Sequence, residues 1–113
     1  VPMRRGRNQS AVIIISTFPN KESIIQNVND LIIEKKLCAC ISLVPIRSFY
    51  SWSNKLEDHE EIMVLLKTTK SLATKLKLEV ARIHPYDVPE IIEVKMNDVS
   101  KSYLKWMIDS IKS

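Results

Sequence analysis

The sequence predicts an α+β fold: an antiparallel sheet built in the order β-α-β-β-α-β, with a long central hairpin and an extra helix at the C-terminus. Three features predict it. Short apolar β-branched runs such as AVIIIST (11–17) and MVLL (63–66) read as buried strands. Two longer stretches repeat their apolar residues at helical spacing. A polar turn, SNK (53–55), separates two long strand-forming runs and makes them a hairpin.

Taken in order, the run from Ala11 to Thr17 is bounded by Pro19 and Asn20, which end a strand. Asn20 then offers an N-cap oxygen and Glu22 an acidic first turn. Ile24, Val28, Leu31 and Ile32 share one face until Lys35 and Lys36, placing a helix over about 21–36. From Ala39 the period changes: Ala39, Ile41 and Leu43 alternate, and IRSFYSW carries strand formers to Trp52. Pro45 has no amide hydrogen for a ladder, so it marks an edge strand or a bulge. Asn54 tolerates the positive φ of a tight turn, and LEDHEEIMVLLKTT returns as the second arm, giving a hairpin over 39–68. In KSLATKLKLEVARIH, Leu72, Leu76, Val80 and Ile83 face one way and lysines the other, until Pro85 stops the helix. EIIEVKMND alternates at Ile92, Val94 and Met96. Leu104, Met107, Ile108 and Ile111 mark the last helix.

This order is the split βαβ, ferredoxin-like arrangement, with two helices on one face of the sheet. The other face needs a cover as well, because VIII (12–15) and MVLL are apolar on both sides of the pleat. Self-association through the long hairpin supplies one.

With 45% hydrophobic and 27% charged residues, the chain has the balance of a globular protein, with a single domain expected over 11–113. No run reaches the roughly 18 apolar residues of a membrane span, so no membrane insertion is expected. The net charge of +4 owes most to Arg4, Arg5 and Arg7 in VPMRRGRNQS. Residues 1–10 are expected to be a disordered basic tail, left by cloning or by the trimming of a targeting segment, and no nucleic-acid partner is expected. Gly6 is the only glycine, which excludes a P-loop, a dinucleotide fingerprint and a nucleophile elbow; no organic cofactor is expected. Cys38 and Cys40 are poorly placed to bond each other, so free thiols and a cytoplasmic location are expected, with organelle targeting left open.

Three stretches carry candidate chemistry. Cys38 and Cys40 alternate in a predicted strand, so both thiols are expected on one face, able to grip a soft cation such as Cu(I) or to serve as small buried hydrophobes. EDHEE (57–61) has donors enough for a weak divalent-ion site, but alternation puts Glu57, His59 and Glu61 on one face and Asp58 and Glu60 on the other, which favours a charged, solvated strand end. In IHPYDVPE (83–90), His84 caps a helix, and Pro85 and Pro89 hold Tyr86, Asp87 and Glu90 on a stiff loop. A hydrolase would use His84 as base, oriented by Asp87 or Glu90, but no serine stands in a glycine-flanked turn and no enzyme is expected.

KKLCACISLVPIRSFYSW, NKLEDHEEIMVLLKTT, HPYDVPEII and YLKWM, in this order and spacing, resemble the CutA divalent-cation tolerance proteins over about residues 11–111. The resemblance implies a tight homotrimer whose strands extend one another's sheets, and an architecture like that of the PII signalling proteins. It also implies a link to tolerance of copper and other divalent cations, and in animal members to acetylcholinesterase processing. It places the family's cysteine at Cys40, its Tyr-x-Trp at Tyr50 and Trp52, its strand glutamate and lysine at Glu61 and Lys67, and its His-Pro-Tyr-x-x-Pro-Glu at His84, Pro85, Tyr86, Pro89 and Glu90. Most of these surround a cleft between subunits. Three departures stand out. Cys38 occupies a usual alanine position, Asn54 replaces a turn glycine, and a glycine after Pro45 is missing, which alters the expected bulge.

Two functions are therefore expected. One is a non-enzymatic homotrimer of cation homeostasis that binds copper or another divalent cation at Cys40 and His84, with Cys38 a further ligand. The other is a PII-like sensor or scaffold holding a small anion in the inter-subunit cleft, through Lys67 and with Trp52, Glu61, Tyr86 and Glu90 around it. Pro85, Pro89 and Asn54 have structural roles.

Overall fold

β1 (Ala11–Pro19) sits inside the sheet, and its β-branched run is buried on the helix side and half-buried on the other. The computed structural model describes residues 10–111, so the expected basic tail lies outside the described residues except for Ser10, whose carbonyl accepts the Lys70 amide at 2.6 Å. The chain continues through α1 (Glu22–Ile33), β2 (Cys40–Trp52), β3 (Lys55–Thr69), α2 (Lys70–Ile83), β4 (Ile91–Lys95) and α3 (Lys101–Ile111). The four strands pair antiparallel in the order β2-β3-β1-β4, as the split βαβ order requires.

Local chemistry accounts for the ends of the elements. α1 starts one residue later than Asn20 would set it. The Lys21 amide bonds back to the Pro19 carbonyl at 2.9 Å, putting Asn20 in the middle of a tight turn and leaving Lys21, at φ −130°, as the residue before the helix with no side-chain cap. The helix stops at Ile33, short of Lys36, which takes φ 51°; the Leu37 amide then closes on the Leu31 carbonyl at 3.1 Å and turns Leu37 and Cys38 into the core. At the hairpin tip Ser53 (φ 52°) and Asn54 (φ 64°) form a two-residue turn with both φ values positive, the geometry that matches strand twist. Asn54 thus does the work of the usual glycine.

The turn fixes the register of the whole hairpin, from Trp52 opposite Lys55 to Cys40 opposite Lys67, with no interruption at Pro45. The alternative of a bulge there is not realised. β2 is an edge strand, and an edge tolerates a proline whose missing donor lies on the outer side. β1 reaches only as far as Glu61 of β3, so beyond Ile46 and Glu61 the hairpin continues as a two-stranded arm of a molecule 56 Å long.

Packing divides into two layers. On one face Val12, Ile14 and Phe18 of β1 and Ile62, Val64 and Leu66 of β3 meet Val28 and Leu31 of α1 and Ala73, Leu76 and Val80 of α2. On the far face α3 lays Met107 against Ala11 and Ala39, with Tyr103, Leu104 and Ile111 around it. That helix covers one end only. The rest of the far face leaves Ile92, Val94 and Val44 about 40% exposed, beside half-buried Ile13, Ile15, Met63 and Leu65.

Candidate functional site

Where the arm leaves the sheet, the loop between α2 and β4 folds over it. Pro85 ends α2, and His84 passes into extended backbone (φ −73°, ψ 133°). The Ser16 hydroxyl donates to the Glu90 carbonyl at 2.6 Å and pins the far end of the loop to β1. Between these anchors His84 is fixed on every side. Its Nε2–H donates to the Thr17 carbonyl at 2.9 Å, its Nδ1 accepts the Tyr86 amide at 3.2 Å, and its ring stacks on Phe18 with centroids 4.2 Å apart. That pattern specifies a neutral imidazole with the proton on Nε2. Burial lowers its pKa below the ordinary histidine value, against the Thr17 carbonyl and Glu61, which favour the charged ring.

Tyr86 projects from this loop and donates its phenol to Glu61 Oε2 at 2.6 Å. Glu61 is only 5% exposed although it is a carboxylate. Burial, then Glu61, push the Tyr86 phenol above its usual value, so it stays a donor. Around the pair opens a cleft of about 590 Å³. Phe49, Tyr50, Trp52 and Tyr86 supply its aromatic walls, and Glu57, Glu61, Asp87 and Glu90 its carboxylates. Among the described residues no lysine, arginine or histidine lines it.

Cys40 lies elsewhere, at the base of the hairpin. It sits against the Tyr103 phenol of α3, which burial and then this thiol push above its usual value. Cys38 belongs to the helix-side core and is 1% exposed, and burial with Cys40 nearby pushes its thiol up to about 12. The expectation that both thiols share a face fails. β2 begins only at Cys40, after a bend at Ala39, so the strand alternation does not extend back to Cys38.

Comparison with known proteins places the chain. The profile of the CutA1 divalent ion tolerance proteins matches residues 12–110. The chain belongs to the CutA1 family. The divalent-cation tolerance protein CutA of Pyrococcus horikoshii is 41% identical over 101 residues, covering 89% of this chain and 98% of that one. The crystal structure of CutA1 from the same organism superposes with a TM-score of 0.84 at 39% identity, over 90% of this chain and 99% of the other. A relative from Arabidopsis thaliana named as chloroplastic is 35% identical over 91% of this chain and 57% of its own length. CutA1 proteins are thus named for tolerance of divalent ions and not for a reaction.

Of the positions that the CutA resemblance marks, the fold brings Trp52, Glu61, Tyr86 and Glu90 to one cleft, with His84 behind Tyr86. Lys67 is not there. It bonds the Ser42 hydroxyl at 2.9 Å, about 20 Å along β3 from Glu61 at about 3.4 Å per residue. His84 and Cys40 are also apart, and among the described residues no three or more His, Cys, Asp or Glu side chains gather to hold a metal. Both His84 nitrogens are already engaged, which also leaves none to serve as the base of a hydrolase. Tyr50, which the resemblance also marks, lines the same cleft, and Glu57 and Asp87 are cleft residues that sequence reasoning did not assign to it. The turn at 53–54 pairs Tyr50 with Glu57 on the Glu61 face, and that register is the signal that finds Glu57.

The His84 environment has a consequence for pH. Because its folded pKa lies below the unfolded value near 6.5, the unfolded chain binds more protons as pH falls, and stability is lost on acidification through that range. Chemical denaturation is expected to show the midpoint falling between pH 7 and pH 5 more steeply in the parent protein than in His84→Gln. Equal slopes would show that the ring does not titrate in this way.

Proposed function

We propose that this chain acts as a homotrimer in divalent-cation tolerance, without catalysis, and takes copper at Cys40. The observation that carries the assembly is the half-covered far face of the sheet, an apolar surface bounded by two unlike edges. A long β2 edge and a five-residue β4 edge are different surfaces, so pairing one with the other between copies is heterologous, the kind of contact that builds a ring when its rotation closes. The CutA resemblance supports three members in that ring. Such a ring covers Ile92, Val94 and Val44 and supports the hairpin arm, which as two strands alone would be marginal.

For copper, Cys40 is the candidate whose chemistry stays available. Cys38 holds its proton in the core, and His84 would have to surrender a hydrogen bond to bind. A soft thiolate suits Cu(I), and its remaining ligands come from a neighbouring copy, since the described residues of one chain offer no cluster. The free thiols fit a reducing cytoplasm. Anaerobic titration with Cu(I) is expected to show a tight site in the parent protein and in His84→Gln, and none in Cys40→Ser. Undiminished binding by Cys40→Ser would overturn the assignment.

A further inference from the structure

The cleft beside Tyr86 has a chemistry that neither a copper site nor an anion site explains. Its buried carboxylate, Glu61, accepts the Tyr86 hydroxyl on Oε2, while Oε1 takes no hydrogen bond and Glu61 makes no ion pair within the described chain. Among the described residues no fully buried polar side-chain atom lacks a partner, so the small exposure Glu61 retains includes Oε1, and Glu61 lines the cleft. A carboxylate withdrawn from water to this degree without a cation is an incomplete pair. What completes it comes from outside.

The walls say what kind of cation. Tyr50, Trp52 and Tyr86 line it with aromatic rings, with indole the best of them for holding a cation. A volume of about 590 Å³ suits a small organic molecule, whereas a bare metal ion needs several donors converging within coordination distance. Among the described residues of one chain, an anion meets four carboxylates and no positive side chain. We propose that this cleft binds a small primary alkylammonium ion, its –NH₃⁺ donating to Glu61 Oε1 and its alkyl chain lying against Tyr50 and Trp52. Burial, then Glu57 and Glu61, push the Tyr50 phenol above its usual value.

The proposal is independent of the copper reading, because Cys40 lies about 20 Å from Glu61 along the hairpin at about 3.4 Å per residue. Failure of one leaves the other standing. It is tested on the full chain by calorimetric titration with n-butylammonium chloride, tetramethylammonium chloride and sodium butyrate at equal ionic strength. Butylammonium is expected to bind best, tetramethylammonium more weakly because it has no N–H to donate, and butyrate not at all. Glu61→Gln keeps an oxygen for the Tyr86 hydroxyl, so it folds as the parent does by circular dichroism; it is expected to weaken butylammonium binding at least about tenfold, the loss of a charge-assisted hydrogen bond. Trp52→Leu is expected to weaken it about threefold. Butyrate binding as well as butylammonium, undiminished binding by Glu61→Gln, or no binding to the parent would each overturn the proposal; the last is the result if a neighbouring copy fills the cleft.

Discussion

Val94→Glu is expected to convert the proposed trimer to single chains that remain folded. Val94 stands on the edge strand β4, opposite Ile13, and shares the uncovered far face with Ile92. In an isolated chain it is 40% exposed, so a glutamate there reaches water and costs the fold little. In a ring that closes over this face, the same carboxylate is buried without a partner, and each copy contributes one. A buried unpaired charge costs about 3–5 kcal/mol, enough to dissociate an assembly at micromolar concentration. Light scattering should therefore report a third of the parent mass while circular dichroism is unchanged. Leu78→Glu is the control: Leu78 is 66% exposed on α2, on the helix side of the sheet, and its substitution should leave the mass as it was. A Val94→Glu protein of unchanged mass would show that this face is not the interface.

The need for a cover on that face was legible in the sequence. Apolar residues at successive positions in VIII and MVLL cannot all point to one side of a pleat, and alternation is fixed by backbone geometry alone. Element order was legible for a similar reason, since periods of two and of 3.6 residues are incompatible and each stretch declares one. The misplaced details are those decided by one or two backbone angles. Asn20 is a good capping residue placed one position too early, because a turn from Pro19 to Lys21 moved the helix start. Cys38 and Cys40 have the spacing of strand neighbours, but the bend at Ala39 separates their faces.

The site was legible as a set of residue types and not as a set of partners. His84, Tyr86 and Glu90 stand out because prolines hold them extended, and Glu61 is nearly the last polar residue before an apolar run. That Tyr86 reaches Glu61, and that His84 is held by the Thr17 carbonyl, depends on how the loop lies across β1; a backbone carbonyl leaves no trace in a side-chain pattern. Lys67 shows the converse. It shares a strand face with Glu61, yet within one chain distance along the strand puts it in different company. Sharing a face is a period-two property; sharing a site also requires nearness.

Phe18→Ala is expected to be the most destabilising single substitution, because Phe18 joins the core to the cleft. Its ring is fully buried between β1 and the helices, and it carries the His84 imidazole on its face, 4.2 Å between centroids at 21°. Truncation removes the largest buried side chain of β1 and leaves a cavity, a loss of about 3–5 kcal/mol. Urea unfolding must be compared at one chain concentration, since dissociation and unfolding are linked in an oligomer. Phe18→Leu keeps much of the volume and is expected to cost less than about 1.5 kcal/mol. The two variants should also differ at His84. Alanine opens the ring to water and lets its pKa rise toward the ordinary value, so the loss of stability between pH 7 and pH 5 flattens; leucine keeps the ring desolvated and the slope close to that of the parent. If alanine cost no more than leucine and left the pH slope unaltered, Phe18 would be neither the keystone of the core nor the support of His84. If stability fell while the slope held, burial by the loop residues around Tyr86 would be what sets the histidine.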